Sequence, residues 1–187
     1  MALGESPARK LERARAKYPA LGVAEVLVWR EYLRLHENEF GPLPQFWLAY
    51  RQTTVQQPPA PGDMFDYNLR IGAGTDPGAG FDQATRQQWI EKTKLRIDAV
   101  AFQADFPFVF EVDRHAGTPQ VGQLLGYLAV WRASKLTPVN PSGVLVTADM
   151  NANAMHLVRE AGIQLVTVSV DFRVLSPFSP VNITGTE

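Results

Sequence analysis

Cysteine is absent from the 187 residues, and histidine occurs only three times. Without thiols there is no disulfide, zinc ribbon, iron–sulfur cluster or cysteine nucleophile. His36, His115 and His156 stand far apart and no HExxH pair is present, so nothing indicates a histidine-built zinc site. An excess of either charge is also missing: 18 Lys and Arg against 19 Asp and Glu leave a net charge of −1. Proteins that bind nucleic acid regardless of sequence are normally basic, so composition gives that function no support. Long apolar runs are lacking too. Val121–Trp131 is one of the longest and is broken by Gly and Gln, far short of the roughly 20 residues that cross a bilayer. The first twenty residues carry no apolar stretch of the signal-peptide kind, so cytoplasmic synthesis and no membrane partner are expected. The glycine-rich run at 72–80 has no following Gly-Lys-Ser/Thr and the wrong spacing for a dinucleotide fingerprint, so it reads as a loop.

What the chain does have is 45% apolar residues, enough for one core, and 14 glycines with 14 prolines, enough for many loops. Ser6-Pro7 reads as a cap and first turn for a helix over 5–18 that Pro19 ends. A second helix is expected over 22–39, where Val23, Val26, Trp29, Tyr32 and Leu33 recur at helical spacing. Leu27, Val28 and Leu35 widen that stripe, so this helix needs contact on more than one side. QFWLAY (45–50) is a short aromatic stretch, and the polar, Pro-rich 51–63 reads as a linker. Three parts follow: a helical arm and linker over 1–60, an α/β core over 61–170, and an extended tail over 171–187. Within the core the expected order is a strand at 65–71, a helix at 82–94 and a hairpin of strands at 95–102 and 106–113. A helix to about Ser134, a strand at 143–148, a helix at 150–161 and a last strand at 164–170 complete it. Pro107 has to lie at a strand start or edge, and Asp149 reads as the cap of the last helix. Alternation of this kind makes an α/β domain with at least one parallel crossover.

The hairpin carries the chemistry. Period-two alternation puts Arg96, Asp98 and Val100 on one face of its first strand. Val109, Glu111 and Asp113 share a face of the second. Carboxylates set mid-strand among apolar residues are costly unless paired or metal-bound. Asp98, Glu111 and Asp113 side by side would repel, and an oxygen-only set of this kind suits magnesium or manganese. Gln123 and Tyr127 are four apart on the following helix and so share a face.

Ile97-Asp98, then Glu111-Val112-Asp113, then Gln123-Leu-Leu-Gly-Tyr127 resembles the PD-(D/E)XK nuclease superfamily, most of all its RecB-like branch with a Gln-x-x-x-Tyr helix. The resemblance spans roughly residues 64–170. It implies a restriction-endonuclease-like αβββαβ core, here with an N-terminal helical extension and an extended C-terminal tail. It also implies Asp98 and Glu111 as ligands of Mg2+ or Mn2+, and Gln123 and Tyr127 near nucleic acid. The family's lysine, two residues after the glutamate, is replaced by Asp113. An aspartate offers no positive charge to a pentavalent phosphate. Arg96, Lys94 or Arg114 would have to supply it, and Arg114 would need a bulge to face the site.

Two functions follow from the resemblance. One is a degenerate, non-catalytic nuclease fold that needs no cofactor and serves structure or assembly. It would bind copies of itself and other protein subunits through its N-terminal helices and C-terminal tail. A connector or adaptor between head and tail of a tailed-phage virion is the setting such arms suit. The alternative is an active Mg2+-dependent nuclease acting on DNA.

Overall fold

A computed structural model describes residues 13, 16–54 and 58–175. Most of the helix expected over 5–18, and the tail beyond residue 175, lie outside these residues. The described chain runs through α1 (Val23–His36), a 3-10 turn (Glu37–Glu39), α2 (Gln45–Thr54), β1 (Phe65–Ile71) and α3 (Gln83–Thr93). It continues through β2 (Leu95–Gln103), β3 (Phe106–Ala116), α4 (Thr118–Ser134), β4 (Ser142–Met150), α5 (Ala152–Glu160) and β5 (Gln164–Thr167). A final 3-10 turn spans Phe172–Leu175.

The five strands form one sheet in sequence order, β1-β2-β3-β4-β5. β1, β2 and β3 are antiparallel, whereas β3, β4 and β5 are parallel. The parallel step from β3 to β4 is bridged by α4, as a crossover requires. This is a restriction-endonuclease-like α/β core. Ala104, at φ 53°, turns the hairpin between β2 and β3. Pro107 is the second residue of β3, where its missing N–H costs least.

The sheet is the middle of three layers. On one face α1 buries Val26, Val28, Trp29 and Tyr32 against Phe65, Ala101, Phe110 and Val146. Trp29 meets Phe65 and Phe110 edge-on, with ring centres 5.3 and 5.4 Å apart. On the other face α2, α4 and α5 bury Trp47, Leu124, Trp131 and Val158 against Leu69, Phe102, Val109 and Leu145. Trp47 stacks on Trp131 at 5.2 Å. The stripe on α1 is deepest at its N-terminal half, while Leu35 stays half exposed.

Three local expectations change. Residues 45–54 are one helix, so the linker reading of 51–54 gives way to a turn of α2 whose Arg51 is buried. The cap of α5 is Asn151, which accepts from the Asn153 N–H; β4 runs past Asp149 to Met150. β5 stops at Thr167, three residues short of the expected end.

The loop from β1 to α3 depends on one close approach. Gly74 has φ +69°, and a Cβ there would overlap the carbonyl oxygen of Ile90. Gly74→Ala is therefore expected to lower stability by about 2 kcal/mol, read from urea unfolding.

Candidate active site

β2 and β3 pair regularly from Gln103·Phe106 up to Ala99·Phe110. Beyond that pair the ladder opens, and the Asp98 carboxylate takes the place of a strand acceptor: the Val112 N–H donates to it at 2.9 Å. Tyr127 of α4 holds the freed part of β2, its hydroxyl donating to the Arg96 carbonyl at 2.6 Å. Gln123 in turn donates to the Tyr127 hydroxyl. The four-residue spacing on α4 thus builds a side-chain ladder reaching from solvent to the opened strand.

The opening changes the faces. Ile97 and Val100, an odd number apart, pack in the same core layer, and Ala99 packs in the other. The expectation of regular alternation through this strand is therefore corrected: it slips between Ile97 and Ala99. β1 slips at the same level, because Leu69 and Tyr67 also lie in opposite layers and Asn68 between them has φ 58°. Tyr67 pairs with Ala99 and Leu69 with Ile97, which sets Asn68 across from Asp98.

Asp98 and Glu111 are both buried, at 8% and 5% exposure. Burial pushes the Asp98 carboxyl up to about 7; the Val112 N–H opposes the rise and the charge of Glu25 adds to it. Burial, reinforced by the charge of Asp98, pushes Glu111 up to about 9. One Glu111 oxygen, Oε2, has no hydrogen-bond partner. Two buried carboxyls whose fields oppose each other hold at least one proton at neutral pH. Glu25 is the neighbour that sequence reasoning missed. It stands on the first turn of α1, where its carboxylate accepts from the Gly22 N–H. The signal was in the sequence: it is the one acid in that first turn.

Asp113 does something different from its neighbours. One oxygen accepts from the His115 N–H at 2.7 Å and the other from Gln120 Nε2 at 2.9 Å. Gln120 also accepts from the Gly117 N–H. Asp113 therefore fastens the end of β3 to the first turn of α4. Asp113→Ala is expected to cost about 1 kcal/mol in thermal or chemical unfolding, the worth of one such tie.

The cations named as substitutes for the lysine are all held. Arg96 donates to the Ala20 carbonyl at 3.1 Å. Lys94 pairs with Glu91 at 2.6 Å. Arg114 lies over the Phe172 ring at 4.3 Å, in the layer opposite the one that Val109 packs into. Only Arg96 acts on the site, where its charge helps to lower Asp98. His115 is exposed, with Nδ1 3.4 Å from an Asp149 oxygen.

Asp98 and Glu111 are an oxygen-only donor pair with one orphaned buried oxygen, a set that suits a hard divalent cation. Among the described residues no three Asp, Glu or His side chains gather as a cation cage. Asp113 lies near enough for its charge to raise both Asp98 and Glu111, while its own oxygens are engaged by β3 and α4.

Strand order and the opened hairpin agree with the PD-(D/E)XK-type nuclease fold that the sequence resemblance implies. Solved structures offer distant similarities. A repair endonuclease from Pyrococcus abyssi matches 41% of this chain and 34% of its own at 20% identity, with a TM-score of 0.36. A complex of EndoMS with double-stranded DNA matches 58% of this chain and 38% of its own at 17% identity, with a TM-score of 0.37. The chain thus spans well under half the length of either. No family model and no curated protein matches it. The fold assignment rests on its own topology and not on these scores.

Proposed function

We propose that the chain is a nuclease-fold module that does not cleave phosphodiesters and works by binding. One observation carries this reading: Asp113, the residue that the resemblance sets at the lysine position, has both carboxylate oxygens engaged. The attacking water and the developing phosphate charge are thus left without a cation aimed at them. Lys94 and Arg114 support the reading, since each is engaged elsewhere, and Arg96, whose charge reaches Asp98, is tied to the Ala20 carbonyl.

The finer placement is as an assembly component, forming oligomers and joining other subunits, with a tailed-phage connector or adaptor as its setting. It rests on the arms read from the sequence; of these, α1 and α2 pack against the sheet, while most of 5–18 and the tail beyond residue 175 lie outside the described residues.

A second reading keeps the domain as a Mg2+- or Mn2+-dependent nuclease on DNA. Glu111 Oε2, buried without a partner, favours it. In that case Asp98 and Glu111 would hold the ion, which would supply charge neutralisation at the phosphate. End-labelled duplex and single-stranded DNA incubated with either metal and run on a denaturing gel separates the two readings. Full-length strands are expected. Metal-dependent fragments that vanish in Asp98→Ala would overturn the non-cleaving reading.

A further inference from the structure

A cleft of about 850 Å3 runs along the outer edge of β1, within the size range of small-ligand sites. Tyr50, Arg51 and Thr54 of α2, Asn68 and Arg70 of β1, and Lys94 ahead of β2 contribute to its wall. It is separate from the carboxylate pair, which is not part of its lining.

The charges in it do not cancel. Arg51 is matched by Asp66, with Nε 2.6 Å from Oδ2. Lys94 is matched by Glu91, the one acid in the wall. Arg70 is left over: its guanidinium donates to the Glu91 backbone carbonyl, and no carboxylate pairs with it among the described residues. A partly buried guanidinium with open donors and no acid is suited to a phosphate, which takes its fork in two parallel hydrogen bonds.

The other polar feature is Asn68. Its side-chain oxygen is shielded from water and has no hydrogen-bond partner. Because water does not reach that oxygen, an occupant of the cleft does not reach it either. The same residue sits at φ 58°, which breaks the regular row of edge groups that an added peptide strand would need. A compact occupant therefore fits better than a strand. Tyr50 and Tyr67 give the cleft aromatic surface for a planar group.

We propose that this cleft binds a nucleotide, its phosphate on Arg70 and its base against Tyr50. The site does not depend on whether the Asp98–Glu111 pair is catalytic. The same chemistry is offered by a free mononucleotide and by the 5′-phosphorylated end of a strand, and the two sources separate by titration. The full-length protein is titrated calorimetrically with AMP, adenosine, inorganic phosphate and a 5′-phosphorylated trinucleotide. AMP is expected to bind saturably, with adenosine and phosphate alone each weaker by about tenfold or more. A trinucleotide tighter than AMP identifies a strand end as the source, and the reverse order a free nucleotide; either supports the site. Arg70→Gln and Tyr50→Ala are each expected to weaken AMP by about tenfold. Arg159→Ala, an equal loss of charge on the exposed side of α5, leaves it unchanged. Absence of saturable binding by AMP and by the trinucleotide in the folded wild type would overturn the proposal. So would an unchanged affinity in either substituted protein that circular dichroism shows to be folded.

Discussion

Asp66→Ala is expected to remove about 3–5 kcal/mol of stability, the largest loss foreseen for a single polar substitution in this chain. Asp66 and Arg51 are 3% and 4% exposed, and they pair across the join between β1 and α2. Arg51 Nη2 also donates to Asp66 Oδ1 at 3.3 Å, and the indole N–H of Trp47 donates to Oδ2 at 3.0 Å. Burial raises the Asp66 carboxyl while Arg51 and Trp47 pull it down. Losing the carboxylate would leave a guanidinium inside the protein with no counter-charge, and the Trp47 N–H without an acceptor. That cost exceeds what the intact pair contributes, because an uncompensated buried charge is the expensive state. Replacing both partners together, as Arg51→Met with Asp66→Leu, should recover most of the loss. Urea unfolding of the single and double variants checks this. A loss below about 1 kcal/mol for Asp66→Ala would mean that the pair is not buried as described.

The opposite sign is expected at Glu111. Glu111→Gln should raise stability by about 2–4 kcal/mol at pH 8, within the range seen when buried charge is replaced by neutral groups. The sign follows from linkage. Folding moves the Glu111 carboxyl from its ordinary value up to about 9 and Asp98 up to about 7. Between the ordinary carboxyl range and those values the unfolded chain has released protons that the folded chain still holds. Stability therefore falls as pH rises through that window, from about pH 4 to about 9, and is flat above it. Removing the Glu111 carboxyl should take away most of the slope above pH 7, leaving the Asp98 part below it. Unfolding free energies at several pH values test the pattern. A wild type whose stability rises from pH 5 to 8 would contradict it. Carboxyls kept at such a cost are more typical of a ligand site than of a packing element, which is why the pair remains the centre of the molecule even where cleavage is absent.

Much of this was open to reading from the sequence, for a physical reason. The hairpin, α4 and the strands of the core are written in short-range signals: alternation, continuous apolar runs, Thr118-Pro119 at a helix start and Gly162 at a helix end. Gln123 and Tyr127 were legible because a four-residue spacing fixes a shared helix face. The slip of alternation at Asp98 was not, because it arises where two strands part and a side chain replaces a backbone acceptor. Asn68, which slips at the same level, carries no local mark beyond being an asparagine, a residue that tolerates left-handed backbone. Arg51 looked like part of a linker because polar, Gln- and Pro-rich sequence surrounds it. Its partner lies fifteen residues away, beyond any local signal. Glu25 reaches the site only because α1 packs across the sheet, a tertiary fact. Asp113 in the lysine position was visible at once, but what it does instead, tying β3 to Gln120, needed the fold.

The most direct test of the central claim uses supercoiled plasmid DNA, in which a single cut registers as a relaxed circle. With protein in excess over plasmid and manganese present, the wild type is expected to leave the supercoiled fraction at the level of a protein-free control. Conversion to relaxed or linear plasmid by the wild type, absent in Glu111→Gln, would contradict the account.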